Sequence, residues 1–173
     1  MREDSYMKIT LIVAMSVDGR IAADREQLTD WTSAEDKQFF VLKTKESGVV
    51  IMGRRTFQTI GEPLPERLNI IMTRQEPPFD DIPGVLESTN QSPAAVVKSL
   101  EDRQYTSACV VGGREVYSAF LAAGLVTDLY VTIEPLLFGG GVPFVEEISS
   151  QRLQLISVEK LGEQSVLLHY VVL

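Results

Sequence analysis

The sequence is poor in the residues that build disulfides and metal clusters. Its 173 residues include one cysteine, Cys109, and one histidine, His169. A lone cysteine cannot form an internal disulfide, and this pair supplies too few groups for a zinc site or a Cys–His nucleophile. We therefore predict no metal, a buried hydrophobic role for Cys109 and a structural role for His169. The lack of disulfides fits a reducing, cytoplasmic setting.

Long hydrophobic runs and an excess of positive charge are also missing. No apolar run approaches the length of a membrane span, and the first residues lack a signal-peptide pattern. Lysine and arginine total 16 against 24 aspartates and glutamates, which gives a net charge of −8. Because nucleic-acid binding requires a basic surface, we expect neither nucleic acid nor a membrane as partner, but a small-molecule substrate. No repeat or linker interrupts the chain, so residues 1–173 are predicted to form one domain.

Short apolar segments alternate with helix-forming ones along most of the chain. This order predicts an α/β fold with a mostly parallel sheet and a C-terminal antiparallel hairpin of residues 153–160 and 165–172. Residues 16–30 show no clear period and are predicted to be a long loop. The other predicted strands cover residues 8–15, 49–52, 69–73, 85–87, 108–111 and 129–133, and later helices cover 54–60, 93–102 and 115–123.

The first predicted helix has recognisable ends. Ser33 or Thr32 can cap its N-terminus, and the helix is predicted to end near Gly48. Its buried side is predicted to contain Phe39, Phe40 and Leu42.

Four arginines lie next to buried strands in this acidic chain. Arg54 and Arg55 follow one predicted strand, and Arg67 and Arg74 flank the next. Ligands of parallel α/β sheets bind beyond the carboxyl ends of the strands, and guanidinium groups suit phosphate. Gly112-Gly113 at another strand end would let the backbone approach such an anion. Spacing alone leaves an alternative open, in which the arginines are solvated and the glycines only form a turn.

Two motifs resemble dihydrofolate reductases. IMGRRTFQTIGEPLPERLNIIMTR, residues 51–74, is similar to that family's signature, and VVGGREVYSAFL, residues 110–121, to its second glycine motif. The rest is more similar to the reductase domain of the bifunctional riboflavin-pathway deaminase–reductase, on AMSVDGRIA, AAGLVTDLYVTIEPLLFGGGVPF and SVLLHYVV. The two families share one superfamily, and the resemblance runs from Ile9 to Val172. It implies the three-layer dihydrofolate reductase-like fold.

The resemblance implies NADPH as the cofactor. Ala14 and Ile21 would border the nicotinamide, and residues 16–31 would form a mobile lid over it. The arginines would then neutralise the cofactor's phosphates, and the Gly112–Gly113 peptide would be cis. The residues that the resemblance assigns to NADPH beyond the strand at 8–15 and the lid are Gly53, Arg54, Arg55, Thr56, Thr73, Arg74, Gly112, Gly113, Glu115, Val116 and Tyr117.

The resemblance also implies a catalytic carboxylate. Asp36 matches the acid of dihydrofolate reductases, and Glu35 competes because a slip of one residue exchanges them. Both acids could instead only stabilise the helix N-terminus. Thr132 would support the acid, and Arg67 would hold either a folate carboxylate or a ribose phosphate. The implied substrate contacts are Trp31, Phe40, Ile60, Leu64 and Arg67.

The implied reaction is hydride transfer from NADPH to a pteridine or an aminopyrimidine. Both chain ends and Gly139-Gly140-Gly141 favour a riboflavin-type reductase, whereas Arg67 with Asp36 favours dihydrofolate reductase. The whole-chain balance leans to 5-amino-6-(5-phosphoribosylamino)uracil reductase, with dihydrofolate reductase as the alternative. A nucleotide-binding module without catalysis, or a reductase of an unrelated carbonyl, stays open. Riboflavin-type relatives are commonly dimers, so a homodimer is expected by analogy.

Overall fold

The computed structural model describes residues 7–27 and 30–173. Ten strands and four helices follow one another in these ranges. The strands are β1 (Lys8–Ser16), β2 (Arg20–Ala22), β3 (Val49–Gly53), β4 (Leu68–Met72), β5 (Leu86–Thr89), β6 (Ser107–Gly112), β7 (Asp128–Glu134), β8 (Val142–Pro143), β9 (Leu153–Leu161) and β10 (Ser165–Val172). The helices are α1 (Ala34–Ser47), α2 (Arg54–Ile60), α3 (Pro93–Asp102) and α4 (Arg114–Ala122).

Eight of the strands form one sheet in the order β5-β4-β3-β6-β1-β7-β10-β9. The first six pair in parallel, and β10 then joins β7 and β9 in antiparallel fashion. The predicted α/β class, parallel sheet and C-terminal hairpin are therefore confirmed. Because parallel strands end on the same side, Gly53, Met72, Gly112 and Glu134 all reach one edge of the sheet.

Helices cover both faces of the sheet, and this explains the nearly continuous apolar runs of the central strands. Alternate residues of β3 belong to different clusters: Val49 and Ile51 pack with α3 and α4, whereas Val50 and Met52 pack with α2 and the phenylalanines of α1. The three-layer arrangement follows from this alternation, since successive side chains of a strand point to opposite faces.

The predicted ends of α1 are confirmed, but its predicted buried side is partly wrong. The Ser33 hydroxyl accepts the Asp36 N–H at 3.2 Å, and Gly48 ends the helix at φ 75°. Leu42 is 60% exposed, while the buried residues of the helix are Asp36 and Thr44. Leu42 lies about 200° around the helix from Thr44, so a sheet that buries Thr44 leaves Leu42 in solvent.

The loop predicted at residues 16–30 contains a short strand. β2 pairs with β8 in a two-stranded antiparallel sheet, with Arg20 opposite Pro143 and Ala22 opposite Val142. The expectation of a long loop is therefore wrong at residues 20–22, because the pairing partner of this strand lies about 120 residues away and leaves no local period. Residues 28–29 of this segment lie outside the described ranges. Within the described ranges, no helix is long and apolar enough to cross a membrane.

Candidate active site

Two glycine turns meet at the carboxyl ends of the adjacent strands β3 and β6. Gly53 caps α2 and Gly113 caps α4, and neither helix receives a side-chain cap. A Cβ added to Gly53 would lie 3.3 Å from Val116 Cγ2 and 3.8 Å from the Gly113 nitrogen. The uncapped amides of both helices therefore lie side by side, an arrangement that favours an anion.

The Gly112–Gly113 peptide is cis, as expected. A Cβ on Gly112 would lie 3.3 Å from Thr56 Oγ1 and 3.5 Å from the Tyr117 hydroxyl oxygen, so side chains have little room there. The buried Tyr117 hydroxyl donates to the Ile12 carbonyl at 2.7 Å. Burial, and then the charge of Asp36, raise the pKa of Tyr117, so this phenol stays neutral.

The arginines predicted to bind phosphate have no acidic partner in the part of the chain that the structure describes. Within the described residues, Arg54, Arg55 and Arg74 form no ion pair. Arg54 donates to the Gln75 side chain, and its Nε is buried without a hydrogen-bond partner. Arg74 is exposed and lines, with Thr73, a cleft of about 590 Å³ at the ends of β4 and β5. This charge distribution fits the phosphates of a dinucleotide.

The two candidate acids differ in burial: Asp36 is buried and Glu35 is exposed. Asp36 is 7% exposed, and its burial raises its pKa, with a further rise from the charge of Glu134. The Thr132 hydroxyl acts in the opposite direction on that pKa, yet its oxygen is buried with no partner at hydrogen-bond distance. Glu35 is exposed and packs against the β9–β10 turn, where a Cβ on Gly162 would lie 2.8 Å from its Cδ.

Arg67 is buried and fixed without a carboxylate. It is 6% exposed, its Nε donates to the Pro65 carbonyl at 2.8 Å, and its Nη1 donates to Thr44 Oγ1 at 2.7 Å. No acid within the described ranges forms an ion pair with it. Burial lowers the pKa of Arg67 from its very high usual value. The guanidinium is thus held in one orientation with its charge unpaired.

An apolar wall lies on the α1 side of the sheet, and the Asn69 side chain supports it. The predicted contacts Phe40, Ile60 and Leu64 are half-buried and pack against the core cluster on the α1 side of the sheet. The buried Asn69 side chain holds the loop that contains Leu64. Its amide nitrogen lies within hydrogen-bond distance of the carbonyls of Leu64, Arg67 and Val85, and its oxygen accepts the Leu64 N–H at 2.9 Å.

The predicted lid is tied to the glycine-rich turn. The Asp18 carboxylate accepts from the Ser16 hydroxyl at 2.6 Å and from the N–H groups of Phe138 and Gly139 at 3.1 and 2.8 Å. These bonds, that of Ser16 foremost, lower the pKa of Asp18 to about 2. Trp31 packs edge-on against Phe138 at 5.2 Å, and its indole N–H is buried without a partner.

The remaining predicted cofactor contacts vary in exposure. Ala14, Ile21, Gly53 and Thr56 are half-buried, Val116 is buried, and Arg55 and Glu115 are exposed.

Sequence reasoning missed three residues of this region. Thr44 follows Asp36 by eight residues on the buried side of α1, and this helical spacing was a usable signal. Asp18 and Glu134 gave no such signal, because an acid in a loop or at a strand end is ordinarily interpreted as exposed to solvent.

Comparison with known proteins gives one family on sequence. The family model described as dihydrofolate reductase matches residues 8–168. The dihydrofolate reductase of Staphylococcus haemolyticus is 32% identical over 157 residues, 90% of this chain and 87% of that protein. Dihydrofolate reductase HdrB of Haloferax volcanii is 33% identical over 130 residues, 71% of this chain but only 65% of that protein.

Solved structures similar in fold carry a different description. A putative riboflavin biosynthesis protein from Shewanella sp. PV-4 matches with a TM-score of 0.79 and 20% identity, over 96% of this chain and 99% of that one. A diaminohydroxyphosphoribosylaminopyrimidine deaminase/5-amino-6-(5-phosphoribosylamino)uracil reductase from Thermotoga maritima matches with a TM-score of 0.79 and 17% identity, over 96% of this chain and 57% of that one. At such identities the likeness shows the fold alone.

Proposed function

The chain belongs to the dihydrofolate reductase family, and from that premise we propose that it reduces 7,8-dihydrofolate to tetrahydrofolate with NADPH. The sequence motifs lean to the riboflavin-type reductase. The side-chain geometry around Asp36 and Arg67 favours dihydrofolate reductase, the alternative left open by the sequence, and this is the activity we propose.

The observation that carries this proposal is the placement of an acid and a cation along one helix. Asp36 and Thr44, which holds Arg67, are the buried residues of α1 and are eight positions apart. Eight residues of helix span about 12 Å. This spacing of an acid and a cation favours a long substrate with a polar heterocycle at one end, an apolar middle and a carboxylate at the other. A guanidinium fixed by Thr44 and Pro65 is oriented for a carboxylate before a ligand arrives.

The strand-end residues fit NADPH. The uncapped amides after Gly53 and Gly113 suit a pyrophosphate. Arg54 and Arg74, which form no ion pair with any described residue, suit the additional phosphate that distinguishes NADPH from NADH. When bound, the cofactor supplies the hydride. The chain's own residues hold the two rings together and exclude water, which lowers the entropic part of the barrier.

Asp36 is suited to hold the substrate's polar ring and to move a proton. A carboxyl whose pKa is raised by burial keeps its proton closer to neutral pH, where it can donate to a ring nitrogen. The unpartnered Thr132 hydroxyl and Trp31 indole N–H are buried polar groups that a ring with N–H and C=O edges would satisfy.

A riboflavin-type reductase is the second candidate. The turn at Gly139-Gly140-Gly141 and the solved structures similar in fold favour it. Arg67 would then hold the ribose phosphate of the aminopyrimidine. The homodimer expected from such relatives stays a prediction.

Steady-state NADPH oxidation with dihydrofolate, and separately with the phosphoribosylaminopyrimidine, tests the proposal. We expect turnover with dihydrofolate and a higher melting temperature with methotrexate. Arg67→Ala should raise the KM for dihydrofolate roughly 10–100-fold, since a charge-assisted hydrogen bond contributes about 1.5–3 kcal/mol. The wild type and the variant should have equal KM values for a dihydropterin that lacks the carboxylate arm. This control separates the loss of a contact from misfolding.

Turnover of the aminopyrimidine alone, with no thermal shift by methotrexate, would replace the proposal with the second candidate. Quenching of Trp31 fluorescence by NADPH without turnover of either substrate would indicate a nucleotide-binding module.

The cofactor assignment has its own test. Arg54→Ala and Arg74→Ala should weaken NADPH more than NADH, because both side chains would contact the additional phosphate. Fluorescence titration with both cofactors measures this, and the exposed Arg152→Ala serves as the matched control. Equal losses for NADPH and NADH would contradict the assignment of these two arginines.

A further inference from the structure

Glu134 is a buried carboxylate that the proposed chemistry does not use. It ends β7 and is 2% exposed. Within residues 7–27 and 30–173, no basic side chain forms an ion pair with it. An acid in such a place is unfavourable unless its oxygens are hydrogen-bonded, so its contacts indicate its role.

The Glu134 side chain joins two segments that are distant in sequence. Its Oε1 accepts the Ser33 N–H at 2.8 Å and the Ser33 hydroxyl at 2.9 Å. Its Oε2 accepts the hydroxyl of the buried Ser165, at the start of β10, at 2.5 Å. One carboxylate thus fastens the N-terminal cap of α1 to the edge of the sheet.

The same serine connects Glu134 to the acid. The Ser33 hydroxyl donates its hydrogen to Glu134, and its oxygen accepts the Asp36 N–H at 3.2 Å. An ionised carboxylate can only accept hydrogen bonds, so the Ser33 hydroxyl is the donor to Glu134 and its oxygen stays free to accept from Asp36. Thr132 and Glu134 are two residues apart in β7, so their side chains lie on the same face. One approaches the Asp36 carboxyl, and the other holds the first turn of its helix.

We propose that Glu134 is a positioning residue for Asp36: its carboxylate holds the cap of α1 against the end of β7 and thereby sets where the acid lies. The inference rests on the proposed function to the extent that Asp36 is the acid of the reaction. A cap serine held only by its own helix would leave the first turn free to shift, whereas the two hydrogen bonds from Ser33 to Glu134 fix it to the sheet, and the bond from Ser165 holds the Glu134 side chain in place.

The charge of Glu134 adds a second effect. Several groups face Asp36: Glu134 and Thr132 from β7, Tyr117 from α4, and Thr32 and Lys37 from its own segment. Burial raises the pKa of Asp36 most, and Glu134 raises it further, against opposing effects from Thr132, Thr32 and Lys37. Ser33 and Ser165, both neutral, face Glu134.

Two variants separate position from charge. Glu134→Gln can still accept from Ser33 and can donate its amide N–H to Ser165, so it keeps the anchor and loses the charge. Glu134→Leu loses both. Glu159→Gln, an exposed acid of β9, is the matched control.

The first readout needs no substrate. Carboxyl NMR of the protein labelled with carbon-13 aspartate follows the titration of Asp36, with Asp36→Asn to identify the signal. We expect Glu134→Gln to lower the titration midpoint by at least about half a pH unit, a three-fold change in proton affinity, and Glu159→Gln to leave it unchanged.

The second readout is the pH profile of kcat/KM. Glu134→Gln should move the limb that Asp36 controls by the same amount and keep the maximum, whereas Glu134→Leu should lower kcat/KM at least about ten-fold at every pH. An unchanged Asp36 titration in Glu134→Gln overturns the electrostatic part. A Glu134→Leu enzyme as active as the control overturns the positioning role. If Glu134→Leu fails to fold, the positioning role is instead overturned when the maximal kcat/KM of Glu134→Gln falls below a tenth of the wild-type value, because this variant keeps the anchor. If no substrate turns over, the proposed function fails while the titration still decides the effect of Glu134.

Discussion

At the scale of single residues, burial of Asp36 disfavours folding at neutral pH but suits the role proposed for its carboxyl group. Its pKa is raised, so the folded chain binds this proton more tightly than the unfolded chain does. The stability it contributes is present below the unfolded pKa and is lost as pH rises through the folded value. At neutral and higher pH the buried carboxylate therefore disfavours folding, a cost that the role proposed for Asp36 in the reaction would explain.

We predict that Asp36→Asn lowers kcat by about 10²–10⁴ and raises the melting temperature at pH 7–8. The gain should shrink as pH falls towards 4, because the wild-type carboxyl then becomes neutral too. Turnover assays and thermal unfolding at several pH values measure both effects. The exposed neighbour supplies the control: Glu35→Gln should leave kcat within about three-fold of wild type. A collapse of activity in Glu35→Gln instead would exchange the roles of the two acids.

Residue types at strand and helix ends were readable from the sequence, but their hydrogen-bond partners were not. Arg67 was placed correctly beside a buried strand, yet nothing local shows that Thr44 holds it from α1. Glu134 bonds to Ser33, 101 positions earlier in the chain. Buried polar residues depend on distant partners, so a pattern read along the chain assigns them to solvent.

At the scale of elements, the lid depends on Asp18. Its carboxylate accepts three hydrogen bonds and links the end of β1 to the turn before β8. Its pKa of about 2 lies below the usual value, so this link is present above pH 4 and is lost only as pH falls towards 2. Between pH 5 and 8 the lid's attachment should not depend on pH.

We predict that Asp18→Ala accelerates hydrogen exchange at residues 136–141 at least about five-fold and raises the KM for NADPH. Peptide-resolved exchange at pH 7 measures the first effect. Asp24→Ala is the matched control, because Asp24 lies in the same segment and accepts the N–H of its near neighbour Glu26 rather than that of the glycine-rich turn. Equal exchange in the two variants would show that Asp18 does not hold the turn.

Elements with local signals were predicted well, and elements without them were not. Ser92 and Pro93 mark the start of α3, and Gly124 follows the end of α4, because caps depend on neighbouring residues. β2 was missed because its three residues gain their strand conformation only from β8. Helix bounds can be read locally, whereas a short strand exists only with its partner.

At the scale of the whole molecule, Asp128 links three neighbouring strands. It lies at the start of β7 beside His169 Nε2 of β10, at 2.8 Å, and Lys8 Nζ of β1, at 3.3 Å. Burial would raise its pKa, but hydrogen bonds from His169 and Thr127 and the charge of Lys8 outweigh this and lower it. Its contribution to stability is thus present above the unfolded pKa and lost as pH falls.

We predict that Asp128→Asn lowers the free energy of unfolding by about 1–3 kcal/mol at pH 7, with the difference vanishing below about pH 3. Urea unfolding between pH 3 and 7 measures it. Asp102→Asn, which removes an exposed pair with Lys98, should change stability by less than about 1 kcal/mol. A constant difference across this pH range would mean that the Asp128 charge is not what stabilises the sheet.

The class of the sheet was predictable from the sequence, but the order of its strands was not. Apolar runs and helix spacing indicated parallel strands, and Gly162 indicated the closing hairpin. That β3 pairs with β6 rather than with β1 depends on contacts between segments about sixty residues apart. Such pairings follow from packing of the whole chain.

The hydrogen bonds of the Asn69 side chain have a consequence for ligand affinity. Because one amide already secures the backbone around Leu64, Arg67 and Val85, that wall has little conformational entropy left to lose. Ligands that differ only in their contacts with this wall should therefore differ in binding enthalpy and have similar association rate constants. Ligands whose binding requires the segment around Trp31 to become ordered should instead associate more slowly.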